Sequence, residues 1–243
     1  MLLYIYFIKG CGLMHINLYT KIKPNATIIC GFPGYGLIGT ITTEFLIEHL
    51  NAVEIGVFHY EEVPPTLAIH QGKVIKPMTV FYNKKHNIVI IHVMISTKGI
   101  EWKIADAIAK LNDEIKAKEI INLEGVAGAP KKKQPEFFYI GNHKLADLGL
   151  KLLKESIVLG VIAGLILRAK NITAIFATTT SKLPDSKSSA KVIEILDKYL
   201  DLDIDYKPLL KQAEIFEIKL KKIIERSNSA LQTVKNKDMD YVG

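Results

Sequence analysis

The chain has 243 residues, 49% of them apolar and 23% charged, with a formal charge of +7. That size and apolar content suit one α/β domain, or one domain with a helical appendage. The basic residues are nearly all lysine, Arg168 and Arg226 being the only arginines. This argues against a nucleic-acid reader built on bidentate arginine contacts.

The two cysteines, Cys11 and Cys30, form neither a disulfide framework nor a zinc-binding spacing, so a reducing cytoplasm is the expected location. Cys30 sits in an apolar run and reads as a small packed hydrophobe. The bias toward Lys, Glu and Ile with little Gln is of the kind found in thermophiles. The apolar opening is too short to cross a bilayer and lacks the basic start of a secretory signal, so no membrane partner is expected. Residues 1–13 read as a start-site extension ahead of Met14, or as a short added strand.

From Met14 the chain is polar until Thr27–Phe32, a buried first strand. A helix is predicted over about Leu37–Leu50, with Leu37, Ile41, Phe45 and Leu46 as its apolar stripe. Val53–Tyr60 reads as a strand, broken by Pro64-Pro65. Leu67–Ile69 and Lys73–Ile75 flank Gln71-Gly72, a hairpin signal, and Thr79–Tyr82 extends that sheet. The β-branched run Ile88–Ile95 marks a central strand buried on both faces. An amphipathic helix over Ile100–Ile115, a strand over Glu119–Leu123 and a glycine- and lysine-rich loop follow. Phe137–Ile140 is a short strand, and helices are expected near Leu145–Leu153 and Val161–Lys170. Ile172–Ala177 is a further strand, after which Asp185 or Ser186 caps a helix through Leu200. Pro208 opens a long last helix reaching about Lys235. The expected architecture is α/β: a mostly parallel central sheet with helices on both faces, a β-hairpin insertion and a long C-terminal helix. Residues 14–205 form the α/β domain, 206–235 the helix and 236–243 a loose tail.

Gly34, Gly36 and Gly39 match the G-x-G-x-x-G dinucleotide fingerprint between a strand and a helix, and Glu61 stands where a ribose-binding acid would sit. Against that reading, Pro33 lacks an N–H to offer a phosphate, and Pro64-Pro65 with a hairpin replaces the expected second βαβ unit. The glycines then serve a tight turn and close helix packing, and no cofactor is expected. Nucleotide or phosphate-ligand binding by an enzyme or sensor is the alternative.

The signature loop Gly31-Phe32-Pro33-Gly34-Tyr35-Gly36-Leu37-Ile38-Gly39, followed by Phe45-Leu46-Ile47-Glu48-His49-Leu50, closely resembles the opening signature of archaeal proteasome assembly chaperone homologues. The resemblance continues through Pro64-Pro65, Gly160–Leu165, Leu183-Pro184-Asp185 and the Lys- and Glu-rich last segment. It departs at Glu124-Gly125, where a glycine pair is expected, and at Thr178–Ser181, where a Gly-Glu-Thr-Ser-like stretch is expected. The resemblance implies a non-enzymatic assembly chaperone in the cytoplasm whose partners are proteasome α subunits. Proteasome-docking tails carry a hydrophobic residue, Tyr and one last residue; this chain ends Met239-Asp240-Tyr241-Val242-Gly243, an imperfect match. Met239, Tyr241, Val242 and Gly243 are therefore the candidate partner-binding residues, beside the plain alternative of an incidental tyrosine in a loose tail.

No other constellation carries chemistry. The seven histidines are scattered, so no metal site is expected, and no Gly-x-Ser-x-Gly elbow exists. The hydroxyls of Thr178–Ser181 read as turn material, and Lys131–Lys133 as a solvated loop. In the last helix Leu209, Ala213, Phe216, Leu220 and Ile223 open a 4-3 apolar seam, which packs on the chain's own sheet or joins copies into a homo-oligomer.

Overall fold

The structure, a computed structural model, describes residues 14–61, 65–70, 73–128, 135–179 and 184–205. Residues 1–13, the Lys131–Lys133 run, the last helix and the tail expected from the sequence lie outside these described residues.

The strands are β1 (His15–Leu18), β2 (Thr27–Gly31), β3 (Val53–His59), β4 (Ala68–His70), β5 (Lys73–Ile75), β6 (Met78–Asn83), β7 (Ile88–Val93), β8 (Glu119–Ala127), β9 (Phe137–Ile140), β10 (Lys151–Leu152) and β11 (Ile172–Thr179). The helices are α1 (Ile38–His49), α2 (Glu101–Ile115), α3 (Lys144–Asp147), α4 (Val161–Arg168) and α5 (Ser186–Leu200). Nine strands form one sheet in the order β1-β3-β6-β7-β2-β8-β11-β9-β10, while β4 and β5 pair as a separate hairpin.

The sheet is mixed, which corrects the expectation of a mostly parallel one. Its centre, β7-β2-β8-β11, is parallel. Its flanks are not: β6 runs antiparallel to β7, β3 to β6, β1 to β3, and β9 to β11. The cause is connection length. A short turn joins β6 to β7 with Asn87 at φ 54°, and so short a link permits only an antiparallel pair. The parallel strands are joined by helical crossovers instead.

Two helix layers cover the sheet, and the alternation of buried side chains separates them. On β2, Ile28 and Cys30 face a core shared with α2 and α4, while Ile29 faces a core shared with α1 and α5. On β7, Val89, Ile91 and Val93 face the first layer, and Ile88 and Ile90 the second. Central strands packed on both faces need apolar residues at every position, as the Ile88–Val93 run supplies. Each such side chain, fully buried, contributes about 1.5–3 kcal/mol relative to exposure. Cys30 is buried and free, and burial pushes its thiol far above the ordinary range, leaving it inert.

Four elements differ from the sequence reading. Strand β6, expected to extend the hairpin, lies instead in the main sheet between β3 and β7, and β4 and β5 pair alone. The stretch after Met14 holds an edge strand, β1, in register with β3 from His15↔His59 to Leu18↔Gly56. The segment expected as a helix near Leu145–Leu153 is one short helical turn followed by β10, because Gly149 at φ 86° ends α3. Strand β8 runs on through Ala127, paired with β11 as far as Thr179. The cap of α5 matches the sequence: Asp185 accepts a hydrogen bond from the Ser188 backbone N–H at 2.9 Å.

Candidate functional site

The signature loop leaves β2 at Gly31 and enters α1 through a 3-10 turn, Tyr35–Leu37. Two successive residues there are left-handed: Gly36 at φ 63° and Leu37 at φ 51°. Leucine adopts that region only under tertiary constraint. The constraint is burial, since the Leu37 side chain packs with Ile41 and Met94, and Ile75 of the hairpin closes over them.

Each signature glycine faces another piece of backbone or a neighbouring loop. A Cβ at Gly31 would collide with the Gly39 carbonyl oxygen and stand 2.6 Å from the Thr43 methyl. One at Gly39 would stand 2.6 Å from the Leu123 carbonyl oxygen and 3.1 Å from the Gly31 Cα. One at Gly34 would collide with the Glu124 carboxyl, and one at Gly125 with the Tyr35 carbonyl oxygen. Gly36 lies against Thr179 and Asp185, and its carbonyl accepts a 2.8 Å hydrogen bond from the Asp185 N–H. Gly128 donates to the Thr179 carbonyl at 2.8 Å, and Thr178 accepts from the Glu136 N–H at 2.7 Å. Phe32 is buried in the α2/α4 core, so the loop is anchored at its start as well.

This arrangement answers the dinucleotide question. Strands β2 and β8 lie side by side and parallel, and the loop that leaves β2 for α1 runs against β8. A crevice outside the carboxyl ends of parallel strands is where α/β sheets bind ligands. Here the crevice is filled by the chain itself. The Tyr35 carbonyl lies over Gly125, and the first turn of α1 abuts the Leu123 carbonyl oxygen. A phosphate would meet carbonyl oxygens instead of N–H groups, so the nucleotide alternative has no support in this geometry. Thr178 and Thr179, read as turn material, serve as loop-to-loop ties.

Two groups were missed by the sequence reading. Asn122 and Glu124 lie two residues apart on one face of β8, and Asn122 is fully buried. Burial pushes the Glu124 carboxyl up to about 8, and the Asn122 amide pulls weakly the other way. That amide nonetheless makes no regular hydrogen bond; its geometry outweighs its proximity, and burial governs Glu124. The available signal was a pair of polar residues interrupting an otherwise apolar strand. The second group is Thr43, His92 and Glu44. His92 Nδ1 is 2.8 Å from Thr43 Oγ1, and its Nε2 is 3.2 Å from Glu44 Oε2. The order imitates nucleophile, base and orienting acid. The Thr43 hydroxyl, however, is fully buried and lies 3.0 Å from the Gly39 carbonyl oxygen, so the trio ties α1 to β7.

Among the described residues no group of three or more His, Cys, Asp or Glu could hold a metal ion, and no helix is long and apolar enough to cross a membrane. Met239, Tyr241, Val242 and Gly243 lie outside the described residues.

The chain matches the model of the PAC2 family over residues 28–224. It is similar to the crystal structure of Pyrococcus furiosus PbaA, an archaeal homolog of proteasome-assembly chaperone. The TM-score is 0.78 and the identity 30%, covering 88% of this chain and 99% of that one. Its fold is also like that of Pyrococcus furiosus PbaB, an archaeal proteasome activator, at a TM-score of 0.71 and 19% identity over 87% of this chain and 99% of that one. An uncharacterized protein of Methanocaldococcus jannaschii is 28% identical over 210 residues, 83% of this chain and 87% of that protein. The family match spans the signature loop, the filled strand-end crevice and both helix layers: the chain belongs to the PAC2 family.

Proposed function

We propose that this protein is a non-enzymatic, cytoplasmic assembly factor that self-associates and binds proteasome α subunits through its folded body and its C-terminal tail. The observation that carries this reading is the likeness to PbaA, which extends over almost the whole of that chain at 30% identity. The filled crevice at the ends of β2 and β8 supports it, since it leaves the signature glycines a packing role. The mechanism is templating. An oligomer holding several partner subunits turns later encounters into intramolecular ones and lowers the entropic barrier to assembly.

The tail adds a handle. Tyr241 offers a large apolar face and one hydroxyl, a combination enriched at binding hot spots. The Gly243 carboxylate would pair with a lysine in a pocket between subunits, a charge-assisted bond contributing roughly 1.5–3 kcal/mol. Binding to immobilised proteasome α subunits, measured by surface plasmon resonance, tests both parts. Deleting residues 241–243 is expected to weaken binding at least tenfold, and Tyr241→Ala to reproduce most of the loss. Equal affinities would remove the tail from the mechanism; no binding by the intact chain would remove the reading itself.

A further inference from the structure

Among the described residues, β1 forms one edge of the nine-stranded sheet. Sheet edges are commonly blunted by lysine, proline, a bulge or an inward-pointing charge. The β1 sequence, His15-Ile16-Asn17-Leu18, has no lysine and no proline, and its register with β3 runs without a bulge. The pairing shows which backbone groups turn outward. The Tyr19 N–H donates to the Ile55 carbonyl at 2.6 Å, in step with the register that ends at Leu18↔Gly56. Bonded and non-bonded pairs alternate along an antiparallel ladder, so Asn17 and His15 also bond to β3. Ile16 and Leu18 therefore point their N–H and C=O groups to the side away from β3. Those are the groups to which an added strand pairs.

A helix flanks this edge. Between β1 and α2 lies a groove of about 220 Å³. Its apolar lining comes from Ile16 and Leu18, alternate residues of the strand, and from Ala107 and Leu111, one turn apart on the helix. Its rim is charged, with Lys103, Asp106, Lys110 and Glu114 following one another along α2. Asp106 is engaged by Arg168 at 2.6 Å, so the rim sets Lys103 and Lys110 against Glu114 and is net positive. An edge strand beside a helix, with an apolar groove between them, is the geometry that captures an extended peptide by strand addition. The backbone supplies affinity, and the groove selects alternate side chains.

We propose that the β1 edge takes up an extended segment of another protein as an added strand. That segment is apolar where alternate side chains face Ala107 and Leu111, and acidic where they reach Lys103 or Lys110. This goes beyond the reading above, and its test uses no proteasome subunit.

The probe is a capped, fluorescently labelled heptapeptide with valine at its third and fifth positions, glutamate at both ends and threonine between. It is titrated with the full chain and followed by fluorescence anisotropy, beside a counterpart with lysine at both ends. Saturable binding is expected for the glutamate peptide, at least tenfold tighter than for the lysine peptide. Ile16→Pro removes an outward N–H, a place where an edge strand tolerates proline, and should weaken binding at least tenfold at an unchanged melting temperature. Lys110→Glu, at an exposed position, should narrow or invert the preference between the peptides, and it carries the test should Ile16→Pro fail to fold. No saturable binding by the wild type, no preference between the peptides, or a folded variant that binds like the wild type would overturn the proposal. A lower native mass for Ile16→Pro would also overturn it, by making the occupant a second copy. So would binding seen only with a chain beginning at Met14, which would make the occupant residues 1–13.

Discussion

Gly39 lies in the first turn of α1, where helix propensity alone favours alanine by about 0.8–1.0 kcal/mol. The structure predicts the opposite outcome for Gly39→Ala. The added Cβ would stand 2.6 Å from the Leu123 carbonyl oxygen and 3.1 Å from both the Gly31 Cα and the Phe32 nitrogen. All three are backbone atoms within or next to the central strands β2 and β8, so none can rotate away. Overpacking of this kind costs about 1–3 kcal/mol, and rigid surroundings place it toward the upper end. Offsetting the propensity gain leaves a net loss of about 1–2 kcal/mol. For a domain of this size, 1 kcal/mol moves the melting temperature by about 2–4 °C, so the variant should melt about 2–8 °C lower. Paired thermal scans followed by circular dichroism measure this directly. An equal or higher melting temperature would show that α1 is not clamped against β8. The strand-end crevice would then have room for a ligand, and the packing account of the signature glycines would fail.

Titration with ATP, NAD and NADP is expected to leave the melting temperature unchanged; a saturable rise of several degrees that Gly36→Val abolishes would restore the nucleotide reading. Glu124, with its carboxyl raised to about 8 by burial, binds its proton more tightly folded than unfolded. Its contribution to stability is therefore fully present below its ordinary value, falls as pH rises toward 8 and is flat above, and Glu124→Gln should flatten the decline of melting temperature over pH 5–8. Identical pH profiles for the two proteins would refute that. A chain beginning at Met14 is expected to express and melt like the longer one, and a large loss of stability would make residues 1–13 an integral strand. Deleting residues 241–243 should leave the melting temperature unchanged while weakening partner binding, because a docking tail contributes to the complex and not to the fold.

Much of the fold was legible where one physical requirement dominates a segment. The Ile88–Val93 run admits little but a strand covered on both faces. The Asp185 cap and the apolar periodicity of Glu101–Ile115 mark helices directly. Strand β1 was illegible because its residues are all half-buried and its pairing with β3 is settled by partners some forty residues away. The mixed character of the sheet was hidden for a related reason. Local pattern gives each strand but not its neighbour, and the direction of β9 beside β11 depends on a connection through α4. At the site, the sequence suggested that the glycines serve packing, through Pro33 and the missing βαβ unit. It could not show against what: Glu124 and Gly125, far along the chain from Gly34 and Tyr35, fill the space. The departure at Glu124-Gly125 from the expected glycine pair falls at that contact, with Gly125 keeping the close approach and Glu124 filling the volume beneath Gly34.

The central claim is that this chain binds proteasome α subunits as an assembly factor. Native mass spectrometry of the purified full-length protein mixed with α subunits from the same source tests it most directly. The account predicts a complex of defined stoichiometry containing both proteins, formed without added nucleotide and weakened by removal of residues 241–243. Two separate species at every mixing ratio, with the protein itself intact and folded, would contradict it.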